Sequence, residues 1–270
     1  MTTRHDERET FEGLRSILAR LRAPDGCPWD REQTHQSLRK TLLEECYEAL
    51  DALDRDDAPA LSEELGDVLL QIAFHCQIAE ERGEFTYAQV FQRLNDKLVR
   101  RHPHVFGDAS ASTAKDVEEQ WEALKEQERA GRESLLDGVS ASMPALAFAQ
   151  TVSQRAVRAG FEWEVFQDVK AKVMEEINEV EEAASQEERE EEMGDVLFTL
   201  VNVARWMGVD AESALRGATQ RFGRRFRHME RAAQATGVAF TQVPLAEKEA
   251  LWEAAKRELK GEEGGGAAQG

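Results

Sequence analysis

The sequence lacks the segments that would place a chain in a membrane or in an oxidising compartment. No run of about 18 apolar residues occurs, so we predict no membrane-spanning helix. The N-terminus, MTTRHDERET, is polar and has no apolar centre of a signal peptide. Cys27, Cys46 and Cys76 are an odd number of cysteines without CxxC spacing. They favour free thiols in a reducing cytoplasm over a disulfide or a metal site.

Several familiar catalytic and cofactor motifs are also missing. The chain contains no glycine-rich phosphate loop, no dinucleotide-binding fingerprint and no turn that would present a nucleophilic serine. Positive charge is scarce, since 34 Lys and Arg stand against 53 Asp and Glu, for a net charge of −19. Nucleic acids and anionic membranes repel such a polyanion, which argues against both as partners. A locally basic pocket is still compatible with this charge.

Helical periodicity runs through nearly the whole chain. Apolar residues recur at three- and four-residue steps over 9–22, and strand-like alternation is nearly absent. The predicted fold class is therefore all-α. Further helices are predicted at about 34–53, 60–82, 86–101 and 114–130. The helix at 60–82 contains a run of apolar residues from Val68 to Phe74, and we expect both of its sides to be buried.

An internal repeat organises these helices. Residues 44–48 (EECYE) recur as 175–179 (EEINE), and 64–69 (ELGDVL) recur as 192–197 (EMGDVL). Weaker matches follow in the same order: 29–30 with 163–164, 97–101 with 221–225, and 121–125 with 252–256. We predict a tandem duplication of a helical-bundle unit, with repeats at 1–130 and 146–260, a linker at 131–145 and a disordered tail at 261–270.

Each repeat carries four carboxylates that share helix faces. Residues three or four apart lie on one side of a helix, and a short connection makes two helices antiparallel neighbours. Facing acids repel unless a cation lies between them, and oxygen ligands on rigid helices suit Mg²⁺ or Mn²⁺. An isolated acidic motif is usually only a solvated face, but here the motif recurs beside apolar runs. The predicted metal ligands are Glu45, Glu48, Glu64 and Asp67 in the first repeat and Glu176, Glu179, Glu192 and Asp195 in the second.

Basic and aromatic residues follow the acids in both repeats. Arginine grips phosphate through two parallel hydrogen bonds, and a Trp beside a Lys suits a nucleotide as well as a packing role. Asn202, two turns after Asp195, can bond a base edge, whereas the corresponding Phe74 can only stack or pack. The arginines would also suit a nucleic-acid-binding helix, against which the net charge argues. The predicted nucleotide-binding residues are Asn202, Arg221, Arg224, Arg225, Trp252 and Lys256, with Lys97, Arg100, Arg101, Trp121 and Lys125 in the first repeat.

With these motifs the chain resembles the MazG family of nucleoside triphosphate pyrophosphohydrolases, in its two-domain form. The resemblance covers about 10–258 and is carried by 26–30 (GCPWD), 33–35 (QTH), the two acidic sets and 101–108 (RHPHVFGD). Segments 135–138 (LLDG) and 160–163 (GFEW) add to it. The resemblance implies Mg²⁺-dependent hydrolysis of NTPs and dNTPs to monophosphate and pyrophosphate by an all-α homodimer. It also implies that the C-terminal repeat is the catalytic one.

The mechanistic hypothesis is metal-assisted attack of water on the α-phosphorus, without a covalent intermediate. Glu176, Glu179, Glu192 and Asp195 would bind the metal, and Glu175 or Glu176 would orient or deprotonate the water. One alternative is a non-catalytic module, either a nucleotide sensor or a helical interaction protein. Another is a helical nucleic-acid binder, which predicts affinity that falls steeply with salt.

Overall fold

The computed structural model describes residues 9–117, 120, 121, 124 and 133–263, with side chains up to 260. The chain divides into two compact units, Met1–Arg129 and Ala130–Gly270, and the division lies beside the predicted linker at 131–145. No described residue belongs to a strand, which confirms the all-α fold class. Among the described helices, none has the length and apolar character needed to cross a membrane.

Three helices of the first unit begin at a residue whose side chain caps the helix. Thr10 and Asp57 accept hydrogen bonds from backbone N–H groups three residues on, and Thr86 forms a capping box with Gln89. Gly83 ends the longest helix at φ 69°, a left-handed conformation that glycine adopts without strain. The helices are α1 Phe11–Leu21, α2 Pro28–Glu32, α3 Arg39–Asp54, α4 Ala58–Arg82, α5 Tyr87–Arg101 and α6 Pro103–Phe106, and residues 114–117, 120, 121 and 124 are also helical.

The second unit repeats the central helix pair. Its helices are α7 Ala145–Arg158, α8 Phe166–Glu182, α9 Gln186–Trp206, α10 Ala211–Ala235 and α11 Leu245–Glu263, with a short 3-10 turn at Phe240–Gln242. The last helix extends to Glu263, three residues into the segment predicted to be a disordered tail. Glutamates at 262 and 263 suit a helix well, and the disordered tail stays a prediction. Residues 264–270 of the predicted tail lie outside the described part of the chain.

Two long helix pairs form the centre of the units, α3 with α4 and α8 with α9. Connections of only three residues, 55–57 and 183–185, make each pair an antiparallel hairpin. In the first unit the core is a contiguous apolar cluster from α1, α4, α5 and the segment before α3. Its buried members are Leu18, Leu38, Ala73, Phe74, Cys76, Ile78 and Tyr87, and the Tyr87 hydroxyl donates to the Ala73 carbonyl at 2.7 Å.

The expectation that both sides of the helix at 60–82 are buried is wrong within the unit. Ala73 and Phe74 are buried, but Leu69 and Ile72 are 40% and 45% exposed. The second unit leaves the corresponding residues Leu197 and Leu200 on α9 exposed to a similar degree. A helix packed on one side by its hairpin partner keeps its other apolar side open unless a further helix covers it. An apolar face therefore recurs at the same register in both units.

An arginine clamp holds α7, α9 and the loop between α7 and α8 together. Arg205 Nη1 and Nη2 donate to both carboxylate oxygens of Glu162, and Arg205 Nε donates to Ser153 Oγ at 2.8 Å. Partial burial by itself raises the pKa of Glu162, but the hydrogen bonds from Arg205 and the Trp163 N–H lower it overall. A buried charged pair with this geometry fixes the loop against the helix pair.

Replacing Arg205 with Met should lower the free energy of unfolding by about 2 kcal/mol or more, because Glu162 loses its partner while still largely buried. Arg20→Met is a matched control, since its bond to Asp25 joins two exposed side chains and should contribute less than about 1 kcal/mol. Urea unfolding of both variants measures the difference. Equal losses in the two variants would contradict the assignment of Arg205 as a stabilising clamp.

Candidate metal and nucleotide site

In the second unit, one helix hairpin brings three carboxylates together. Glu176 and Glu179 come from α8 and Glu192 from α9, and each offers an oxygen within 4.8 Å of the others. The i,i+3 spacing puts the first two on one face of α8, and the short 183–185 connection brings α9 against that face. Glu176 is only 5% exposed, so the cluster is partly shielded from solvent. These three residues are brought together as predicted.

The first unit builds the same arrangement from its own hairpin. Glu45 and Glu48 on α3 and Glu64 on α4 also offer oxygens that lie within 4.8 Å of one another. Glu48 is exposed, whereas Glu45 and Glu64 are half-buried. The duplication seen in the sequence is therefore also a duplication of the carboxylate geometry.

The electrostatics of both clusters show carboxylates that oppose one another. Burial and then the charges of Asp67, Glu48 and Glu64 raise the pKa of Glu45. Burial and the neighbouring Glu48 likewise raise the pKa of Glu64. In the second unit, a hydrogen bond with Glu176 is the main reason that the pKa of Glu179 is raised. Each group would keep its charge more readily if a cation lay among the oxygens.

The two aspartates predicted as ligands have a different placement from the glutamates. Neither Asp67 nor Asp195 belongs to the close groups of three, although each follows a clustered glutamate by three residues on the same helix face. Asp67 is near enough to raise the pKa of Glu45. Asp195 is exposed, so water can solvate its charge without a cation, although an apolar run follows it in the sequence. The role of Asp67 and Asp195 as metal ligands stays a prediction.

The chemistry of the donors fits a hard divalent cation. Mg²⁺ takes oxygen ligands at about 2.1 Å, so two oxygens on opposite sides of the ion lie about 4.2 Å apart. The glutamate oxygens of each cluster fall within a comparable spread of 4.8 Å. Three carboxylates also leave positions of an octahedral ion for water or phosphate oxygens. Glu45, Glu48 and Glu64, and equally Glu176, Glu179 and Glu192, could hold such an ion.

The structure adds one residue that the sequence reasoning missed. Lys172 Nζ on α8 lies 2.6 Å from Glu175 and 2.9 Å from Glu176, and hydrogen bonds to these two carboxylates raise the pKa of Lys172. The spacing of three and four residues from the acids was the available signal. In the repeat register the first unit has Thr41 at this position, so only the second cluster holds a lysine there.

Two of the predicted basic residues lie beside aromatic rings. The Arg225 guanidinium lies 5.8 Å from the ring centre of Trp252, and that of Arg101 lies 5.6 Å from Trp121. Such cation–π contacts hold a cation beside a flat ring. Lys256 pairs with Glu253 at 3.0 Å. The other predicted basic residues, Lys97, Arg100, Arg221 and Arg224, are exposed on α5 and α10, and Lys125 lies outside the described residues.

Trp252 also lines an apolar cavity of about 640 Å³ between α10 and α11. Phe222, Phe226 and Phe240 form much of its wall. The lining also includes the charged residues Lys248, Glu249 and Glu253. Flat aromatic walls with a few polar groups are suited to binding a small planar ligand. The sequence indicated Trp252 by its recurrence, but the phenylalanines of this cavity carried no separate signal.

Asn202 is placed differently from the expectation that it meets a base. Its side chain is only 2% exposed, accepts a hydrogen bond from the Ser153 hydroxyl and donates to the Phe198 carbonyl at 3.1 Å. The same Ser153 oxygen accepts from Arg205, so Asn202 belongs to the clamp that joins α7 to α9. In this structure its carboxamide makes hydrogen bonds that hold α7 against α9. Its contact with a base is still a prediction.

Comparisons with known proteins agree on the kind of protein that this chain is similar to. A family model described as the MazG nucleotide pyrophosphohydrolase domain matches residues 33–106 and 165–230. The chain is 46% identical over 247 residues to the "Nucleoside triphosphate pyrophosphohydrolase/pyrophosphatase MazG" of Thermotoga maritima, covering 91% of this chain and 95% of that protein. It is 45% identical over 256 residues to the "Nucleoside triphosphate pyrophosphohydrolase" of Escherichia coli K12, covering 92% of this chain and 97% of the relative.

Addition of MgCl2 should raise the unfolding temperature of the wild-type chain, because a cation relieves repulsion present only in the folded state. An acid whose pKa is raised by folding stabilises the fold when protonated and loses that contribution as pH rises. The effect of Mg²⁺ should therefore be larger at about pH 8 than at about pH 5. Thermal scans of wild type and of the double variant Glu48→Gln, Glu179→Gln, with NaCl at matched ionic strength, measure it. An equal rise in the double variant would exclude the clusters as the binding sites.

Proposed function

Because the chain belongs to the MazG family, we propose that it is an enzyme that hydrolyses nucleoside triphosphates, both NTPs and dNTPs, to the monophosphate and pyrophosphate. The observation that carries this proposal is the group of three glutamate oxygens within 4.8 Å in each helix hairpin. Such a group suits a ligand made of a divalent cation and a polyphosphate. The close relatives named as nucleoside triphosphate pyrophosphohydrolases support the same activity.

The cofactor in this proposal is Mg²⁺, with Mn²⁺ as a second possibility. Glu176, Glu179 and Glu192 would hold it in the second unit, with Asp195 adjacent on α9. When bound, the cation supplies charge that offsets the triphosphate and makes a coordinated water more acidic. The residues themselves orient the ion and keep one side of it shielded, because Glu176 is buried against the hairpin.

The protein groups then divide the remaining tasks. Glu175 or Glu176 orients or deprotonates the water that attacks the α-phosphorus. The bond between the α-phosphorus and the bridging oxygen breaks, and the β- and γ-phosphates leave together as pyrophosphate. Lys172, which lies between these two carboxylates, is placed to contact a phosphate oxygen near them. Arg221, Arg224, Arg225 and Lys256 offset the charge that develops on the leaving group. No step forms a covalent bond to the protein.

We assign catalysis to the C-terminal unit. Its cluster includes a buried glutamate and a lysine in direct contact with the acids, whereas the first cluster has Thr41 at the lysine position. A polyphosphate brings several negative charges, so a cation on the protein favours its binding. The alternative for the first unit is a nucleotide-sensing module without turnover. The first unit also has a lysine beside its acids, but Lys40 pairs with Glu44 at 3.0 Å, and Glu44 is not one of the three clustered glutamates.

We propose further that the chain forms a homodimer in a reducing cytoplasm. Leu65, Leu69 and Ile72 on α4 are 53%, 40% and 45% exposed, and Leu197 and Leu200 repeat the pattern on α9. Large exposed apolar faces mark interfaces, and a second copy of the chain would offer the same helices to cover them. Cys27, Cys46 and Cys76 are all free, which supports a reducing compartment.

Glu179→Gln should lower the rate of pyrophosphate release by about 100-fold or more, because it removes one negative ligand of the proposed cation. Glu48→Gln, the matched change in the first unit, should leave most of the rate intact. Pyrophosphate release is measured with Mg²⁺ on a panel of NTPs and dNTPs. Loss of activity only in Glu48→Gln would reverse the choice of catalytic unit, and full activity in both would exclude both clusters.

Hydrolysis in water enriched in ¹⁸O should label the monophosphate and leave pyrophosphate unlabelled, because attack on the α-phosphorus attaches the water oxygen there. Single-turnover reactions analysed by mass spectrometry measure the position of the label. Label in pyrophosphate instead would exclude attack at the α-phosphorus.

The double variant Leu69→Glu, Ile72→Glu should shift the chain from dimer to monomer, since charge on an apolar interface opposes association. Sedimentation equilibrium measures the mass, and Leu245→Glu is the control because that leucine is 73% exposed on a different helix. A wild-type monomer, or a dimer that survives the double substitution, would contradict this face as the interface.

A further inference from the structure

In the first unit, a chain of three side chains joins the segment before α3 to α4. His35 Nε2 lies 3.3 Å from Glu84 Oε2, and His35 Nδ1 lies 2.7 Å from His75 Nδ1. The two imidazole rings are parallel to within 3°, with centroids 5.0 Å apart. The QTH motif at 33–35 stood out in the sequence, and its histidine is the middle member of this chain.

Hydrogen bonding determines where the protons lie. A carboxylate only accepts, so His35 carries its proton on Nε2 and donates it to Glu84. When His35 is neutral, its Nδ1 is an acceptor, and His75 donates to it from Nδ1. The single proton of a neutral His75 is thereby used, and burial followed by the nearby His35 lowers the pKa of His75, which favours this neutral form. His75 Nε2 is left as a bare acceptor.

His75 Nε2 has no hydrogen-bond partner, and a second unpartnered acceptor lies one helical turn before it on α4. His75 Nε2 and Gln71 Oε1 are both inaccessible to solvent and without a hydrogen-bond partner in the described structure. Gln71 as a whole is 5% exposed. Leaving a buried acceptor without a partner is energetically unfavourable, so a pair of them on one helix face points to a missing hydrogen-bond donor.

Gln71 and His75 lie on the same helix as Glu64 of the carboxylate cluster. Gln71 follows Asp67 by one turn and Glu64 by two turns on the same face of α4, about 6 Å and about 10 Å along the helix axis. A ligand whose phosphates lie at Glu45, Glu48 and Glu64 could extend its nucleoside along this face. The relay borders solvent at His35, whose side chain is 27% exposed.

The second unit does not share these groups. In the repeat register Gln71 corresponds to Thr199 and His75 to Val203, and the counterpart of His35 in the weaker upstream match is the buried Val169. Two units with the same carboxylate geometry therefore differ at the next two turns of the helix. A difference confined to the helix face beyond the carboxylates would change which base is bound. It would not change how the phosphates are bound.

We propose that Gln71 and His75 form a base-recognition site in the N-terminal unit that selects nucleotides with an exocyclic amino group on the base. An amino group donates two hydrogen bonds, which matches two bare acceptors one turn apart. The Glu84–His35 pair acts as a positioning element that keeps His75 Nε2 unprotonated. This inference rests on the proposed phosphate site at Glu45, Glu48 and Glu64.

The test uses the full chain with the C-terminal cluster disabled by Glu176→Gln and Glu179→Gln, so that only the first unit binds. Calorimetry with Mg²⁺ compares CTP, UTP and inorganic tripolyphosphate. CTP and UTP share ribose and phosphates but differ in the amino group at position 4. CTP should bind about tenfold more tightly than UTP, or better, because the keto group of UTP offers no donor there.

A further substitution in the same background identifies the residue. Gln71→Leu should bring CTP to the affinity of UTP and leave tripolyphosphate binding unchanged, whereas Thr199→Val, the matched change in the second unit, should alter neither. Thermal unfolding checks that the variants fold. If Gln71→Leu does not fold, the comparison of CTP with UTP in the protein that retains Gln71 still decides the question.

The outcomes separate this inference from the function on which it rests. Equal affinity for CTP and UTP, with tripolyphosphate still bound, overturns base recognition and leaves the phosphate site standing. Loss of all binding, with normal pyrophosphate release by the unmodified chain, removes both the phosphate site of the first unit and the inference. Absence of pyrophosphate release from the unmodified chain would overturn the proposed function itself.

Discussion

The repulsion between carboxylates held across a helix hairpin is the constraint on which the rest of the structure depends. Three glutamates in each unit offer oxygens within 4.8 Å of one another, and burial and mutual repulsion raise the pKa of several of them. Folding brings these groups together only because the paired helices bury apolar surface elsewhere. In the proposed function this repulsion becomes affinity, because a divalent cation among the oxygens relieves it.

Duplication has produced two hairpins with the same acids and different surroundings. In the second unit Lys172 contacts the acids, and a cation–π pair of Arg225 and Trp252 stands beside an aromatic cavity. In the first unit a Glu–His–His relay ends near Gln71, with two acceptors left bare. Under the proposed function, the shared carboxylate geometry and the different neighbours would let one unit catalyse while the other binds a nucleotide.

The arginine clamps that stabilise the two units lie away from the carboxylate clusters. Arg205 and Glu162 tie the loop before α8 to the end of α9, about two turns or more from the carboxylates. Arg22 performs a similar task in the first unit, where it donates to Glu81 at 2.8 Å and to the backbone of the segment after α2. The charged clamps lie at the far end of the hairpins, where Arg22 pairs with Glu81 and Arg205 with Glu162 rather than with the clustered glutamates.

Helical periodicity, the repeat, and the i,i+3 acids determined the fold class and the glutamates of each cluster, because these depend on local spacing and on short connections between helices. The sequence also indicated Trp252 through its recurrence. Only the tertiary structure decided that Asn202 is buried against Ser153, that Leu69 and Ile72 are exposed, and that His35 meets His75. Each of these depends on which helix packs on which side, and contacts between residues distant in sequence leave no periodic signal along the chain.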